Sequence, residues 1–215
     1  MLPPRERISG VQLTCALASA WVLTTTVVVI GALTPGYSPM RDTISRLASE
    51  GQAFAPQARA AFVLYGGLVL VGAGALGCHA PGRQRGLAAL IRVFGATAVV
   101  AGLAPKALAT EPGTRSSHIH VAATVVGGAA ILTALILVAL HSPSVALRRA
   151  SLVVAVLTAT AVLVFRFSWG SPTYGLVERV VIAPAAFWIS ALAHRVHGQD
   201  QRARLAKVNA WGVHS

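Results

Sequence analysis

Acidic residues are scarce in this chain. Six Asp and Glu stand against 18 Lys and Arg in 215 residues, and charged types make up only 11% of the total. An average soluble domain is about 25% charged, so a water-soluble globule of this length is excluded on composition. Cysteine is almost absent too. Cys15 and Cys78 alone make no disulfide framework, and there is no C-x-x-C pair or Cys/His zinc spacing. Aromatic types are 6%. The G-x-S-x-G, H-E-x-x-H, Walker and Rossmann signatures are missing, so no resident metal or cofactor is expected.

What is present is apolar residue in long runs. Hydrophobic types reach 55% and mean hydropathy is +0.67. Charge-free stretches cover 8–40, 60–82, 93–105, 116–147, 150–165 and 180–194. A membrane span needs about 20 mostly apolar residues. Six spans fit, at 9–33, 58–79, 87–109, 118–140, 150–168 and 176–196. The runs are continuous and do not alternate, so the expected class is all-α, a polytopic bundle of six transmembrane helices, and not a barrel. The first apolar run is too long for a signal peptide and reads as a span that stays.

The net charge of +12 would suggest nucleic acid in a soluble domain. Here the cations sit in short loops between apolar runs, the pattern of the positive-inside bias, so nucleic acid is not an expected partner. One side gathers Arg5, Arg7, Arg83, Arg85, Arg148, Arg149, Arg195 and the basic tail 198–215; the other holds fewer cations, Arg41, Arg46, Arg59, Lys106, Arg115, Arg166 and Arg179, together with Asp42, Glu50, Glu111 and Glu178. Both termini are therefore expected in the cytoplasm, with the protein in the cell membrane and the tail on the cytoplasmic leaflet. Cys15 and Cys78 fall toward the reducing side, which further disfavours a disulfide. Short inner loops predict antiparallel neighbours. Frequent Gly and Ala in the spans predict close helix contact.

The polar residues concentrate on the side opposite the termini. Residues 39–50 have Met40, Ile44 and Leu47 at helical spacing, with Asp42, Ser45, Arg46 and Ser49 opposite. That predicts a short amphipathic interfacial helix, capped by Ser38 with Pro39 first and Gly51 as its stop. It reads as an anchor or as a lid. His118 and His120 open the fourth span. Two positions apart, they point to different faces and do not share a metal unless the helix unwinds. They read as boundary residues, or as a relay or headgroup ligand. Glu178 and Arg179 open the sixth span, where ionisable groups need protein partners: Arg166 or Arg46 for Glu178, Asp42 or Glu111 for Arg179. Trp169 and Tyr174 suit an aromatic belt. Pro105 and Pro184 are expected to kink spans three and six.

Three segments carry a resemblance. They are PGYSPMRDTISRL at 35–47, SHIHV at 117–121 and GLVER at 175–179. Together they resemble the membrane family called domain of unknown function 998, over nearly the whole chain. The resemblance implies six membrane helices and a polar set of Asp42, Ser45, Arg46, His118 or His120, Glu178 and Arg179. It implies no activity. The function expected from these readings is binding or handling of a membrane lipid or amphiphile at this polar cluster, or service as an accessory subunit to a membrane partner. The alternatives are a membrane-embedded hydrolase or transferase using His118 or His120 with Asp42, and then a small transporter. The transporter is disfavoured because nearly all charges lie at span ends.

Overall fold

The computed structural model describes residues 10–77, 83–107, 113–167 and 170–212. Cys78, Glu111, Trp169 and the first nine residues, to which some expectations above refer, lie outside them. Among the described residues there are helices and turns and no strand. In order they are α1 (Gly10–Leu33), α2 (Ile44–Leu47), α3 (Ala55–Gly77), α4 (Arg83–Leu103), α5 (Arg115–His141), α6 (Val145–Phe167) and α7 (Tyr174–Gly212). All but α2 are long and apolar enough to cross a membrane. Even α4, with 21 residues, is about 31 Å long at 1.5 Å per residue, close to the hydrocarbon thickness. The chain is a multi-pass, all-α membrane protein.

The six long helices close a ring. Each packs on the next through α3, α4, α5, α6 and α7, and α7 returns to α1, while α3 also touches α7. The core is built by Tyr65, Val69, Ile91, Leu135, Trp188 and Ile189, filled in with Ala. Apolar side chains of similar size elsewhere, such as Val28, Leu152 and Leu163, are exposed, as lipid-facing positions are in a bundle without water around it. Small residues set the closest contacts. A Cβ at Gly66 would stand 2.8 Å from the backbone nitrogen of Val99, and one at Gly95 would stand 2.9 Å from the Gly66 carbonyl. Helices α3 and α4 therefore touch backbone to backbone.

Pro105 does not kink the third span. Helix α4 stops at Leu103, short of the expected 109, because a residue preceding proline is driven out of helical geometry. Pro184 lies inside α7. That helix continues without a break to Gly212, so the basic tail is an extension of the last span.

The segment after α1 differs most from expectation. It holds a helix of four residues, Ile44–Leu47, instead of one over 39–50. Thr43, not Ser38, is the N-cap, and its side chain accepts from the Arg46 N–H. The reason lies in the carbonyls. Met40 O accepts the Leu176 N–H at 2.9 Å, and Pro39 O and Asp42 O accept from Arg179 at 2.7 and 3.0 Å. The Ile44 N–H, which a helix over 39–50 would direct to Met40 O, goes instead to Glu178, so both halves of that helical bond are engaged by α7. Leu47 and Ala48 are buried against Ile30 of α1 and Ala58 of α3, so α2 plugs the end of the bundle.

Candidate functional site

Residues 37–46 and the first turn of α7 form one clasp at the end of the ring where α1 finishes and α3 and α7 begin. Gly175 makes it possible. A Cβ there would lie 2.7 Å from both the backbone nitrogen and carbonyl carbon of Asp42, so only a residue without a side chain lets the two backbones meet. Four residues later on the same helix face, Arg179 reaches over this contact. Its Nη1 donates to the carbonyls of Pro39 (2.7 Å), Asp42 (3.0 Å) and Gly175 (2.8 Å). Its Nη2 donates to the Tyr37 hydroxyl, and its Cζ stands 5.7 Å from the centroid of the Tyr37 ring. The Tyr37 hydroxyl in turn lies 3.3 and 3.2 Å from the carbonyls of Asp42 and Thr43. Burial pushes the Tyr37 phenol above its ordinary value, although the Arg179 charge and hydrogen bond oppose the shift. Tyr37 is thus a neutral donor in the clasp.

Asp42 is 4% exposed and faces the loop itself. It accepts the Ser38 N–H at 2.8 Å, Arg41 Nε at 3.4 Å, and Arg46 Nη1. Burial alone would raise its carboxyl. The Ser38 N–H, Arg41 and Arg46 outweigh burial and hold it below the usual carboxylate value. Glu178 faces another way: it accepts the Ile44 N–H, and Ser45 Oγ lies 3.4 Å from its other oxygen. It therefore caps the first turn of α2 from a neighbouring helix, at the position where an anion complements the helix dipole.

The sequence-predicted residues thus divide. Asp42, Ser45, Arg46, Glu178 and Arg179 come together in the clasp. The partners differ from those expected: Glu178 bonds Ile44 and Ser45 and has no hydrogen bond to Arg46 or Arg166, and Arg179 takes the Asp42 carbonyl and not its carboxylate. His120 is buried at 3% exposure, while His118 is exposed. Nδ1 of His120 lies 3.0 and 2.9 Å from the carbonyls of Ala101 and Ala104, so it closes the last turn of α4. Lys106 stands close enough to act electrostatically on both His120 and Glu178. Neither histidine hydrogen-bonds Asp42 or Ser45 among the described residues. No group of three or more His, Cys, Asp or Glu there is arranged to hold a metal.

Sequence reasoning missed Tyr37, Thr43 and Gly175. A signal for Gly175 was present, since small residues in a membrane helix let another backbone approach closely.

Beside the clasp is an open groove of about 550 Å³, lined by Val27, Val28, Gly31 and Ala32 of α1, by residues 34–37 and Pro39 of the turn that follows, and by Arg179. Val28 is 64% exposed, so the groove opens sideways onto the apolar surface that meets lipid. Its polar end is Arg179 with Tyr37.

Comparison with curated proteins and with solved structures finds no match. A family model described as Protein of unknown function (DUF998) matches residues 16–195, a span that includes α2, the clasp and all but the ends of the ring. The chain belongs to that family.

Proposed function

We propose that this protein binds a membrane lipid or similar amphiphile in the groove between α1 and the clasp, on the outer side of the cell membrane, with both termini in the cytoplasm. The observation that carries the reading is the shape of the groove: one wall is apolar and open to the lateral surface, and the other end is a guanidinium held by a phenol. An amphiphile has the same two-part chemistry. The tail would lie on Val27 and Val28, where apolar contact costs nothing in lipid, and the head would meet Arg179. A role as an accessory subunit uses the same surface, with the partner's helix in place of the tail.

The test is photo-crosslinking in nanodiscs with a lipid carrying a diazirine near the end of its chain, followed by peptide mapping. Crosslinks should concentrate on the 27–32 stretch. Val28→Trp fills the groove from its exposed side and should abolish them, while Leu152→Trp, on an exposed face of α6, should leave them unchanged. Equal labelling of all exposed helix faces in wild type would refute the proposal.

A further inference from the structure

We infer that the groove selects an anionic lipid, whose phosphate is taken by Arg179; this rests on the amphiphile-binding reading and specifies its headgroup. The first argument is charge. Of the ten residues lining the groove, Arg179 is the only ionisable one apart from the neutral phenol of Tyr37, and no acid is among them. The ion pairs found among the described residues both go to Asp42, from Arg41 and Arg46. Arg179 instead has four neutral oxygens, three carbonyls and a hydroxyl. These fix its orientation without cancelling its charge. The acids nearby point elsewhere: the Asp42 carboxylate turns to Ser38, Arg41 and Arg46, and Glu178 turns to Ile44 and Ser45. Glu178 acts on Arg179 through space only, as the adjacent residue.

The second argument is donor capacity. A guanidinium carries five N–H donors. The two on Nη1 and one on Nη2 are engaged, which leaves the Nε–H and one Nη2 hydrogen. Two donors on one rigid guanidinium are what a phosphate or carboxylate takes bidentately. Arg41 and Arg46 share the single Asp42 carboxylate, which leaves a net positive charge at the rim, and Arg41 brings it to the groove with its Nη2 3.3 Å from the carbonyl of Gly36. The third argument excludes the opposite head. A quaternary ammonium needs an aromatic face or an acid. The groove has no acid, and the Tyr37 ring already has the Arg179 guanidinium beside it.

The experiment uses the full chain in phosphatidylcholine nanodiscs containing a trace of tail-diazirine phosphatidylglycerol. Crosslinking within 27–32 is challenged with unlabelled phosphatidylglycerol, additional phosphatidylcholine or inorganic phosphate. Phosphatidylglycerol should compete about fivefold better than phosphatidylcholine: both offer the same phosphodiester to Arg179, and the difference is the choline cation, which finds no acid in the groove and is repelled by the guanidinium by about 1 kcal/mol at 4 Å in water. Arg179→Gln should erase that preference while tail labelling persists. Arg41→Gln, outside the Arg179 hydrogen bonds, should reduce it and covers the case in which Arg179→Gln fails to fold. Equal competition by the two lipids in wild type would overturn the inference and leave the amphiphile reading standing. Loss of all labelling at 27–32 would remove both. Displacement by millimolar inorganic phosphate would overturn the lipid assignment in favour of a free anion.

Discussion

Replacing Gly175 with alanine tests the clasp directly. The new Cβ would stand 2.7 Å from the backbone nitrogen and carbonyl carbon of Asp42, and backbone atoms cannot swing away as a side chain can. Residues 39–42 must retreat from α7. That retreat breaks the Arg179 bonds to Pro39 and Asp42 and the Leu176 bond to Met40. At the low end for a charge-assisted bond, suited to a half-exposed arginine, the first two contribute about 1.5 kcal/mol each, and the neutral bond about 1 kcal/mol. Alanine returns about 1 kcal/mol through its better helix propensity. The net loss is about 3 kcal/mol, or about 6–12 °C in Tm for a chain of this size. Thermal unfolding in mild detergent, followed by tryptophan fluorescence, reads the shift. Gly128→Ala is the matched control, because a Cβ there meets nothing within 4 Å, and it should leave Tm unchanged or slightly higher. Combination with Arg179→Gln should be less than additive, since both changes remove the same bonds. A Gly175→Ala protein melting within about 2 °C of wild type would refute the backbone-contact argument.

Two further outcomes follow from the same geometry. Asp42 titrates below its ordinary value in the folded protein, so its contribution is complete above about pH 4 and disappears as pH falls through its own, lower titration; wild-type Tm should therefore show an acid-side decline that Asp42→Asn lacks, measured from pH 6 to pH 2.5. Gly66→Ala should lower Tm by several degrees because its Cβ would meet the Val99 backbone at 2.8 Å, whereas Gly67→Ala, with nothing within 4 Å, should not.

The ring of spans was legible because lipid imposes a simple rule: about 20 apolar residues in a row must form a helix, whatever their neighbours. Loop positions of the polar groups were legible for the same reason, since Asp42, Glu178 and Arg179 cannot sit in hydrocarbon unpaired. The pairing itself was not. Residues 39–50 carry a helical spacing of Met40, Ile44 and Leu47, and local propensity alone would make them one helix. What cut that helix to Ile44–Leu47 was pairing with α7, more than 130 residues away in the chain: Met40 O takes the Leu176 N–H and the Ile44 N–H goes to Glu178. Periodicity has no access to a partner so distant. The division between His118 and His120 was half legible: two positions apart, they had to face different ways, but only α4 ending before Pro105 determined that His120 would meet the carbonyls of Ala101 and Ala104.

Because α7 both closes the ring and completes the clasp, the clasp end of this molecule cannot be finished until the last helix has joined the bundle. Helices α1 to α6 can be threaded into the bilayer in turn, and Leu47 and Ala48 can already settle against α1 and α3, but Pro39, Met40 and Asp42 lack their bonds to α7 until Leu176 and Arg179 arrive. A chain without that helix would present the same rim unstitched. The helix made last is thus the one that fixes the loop made first.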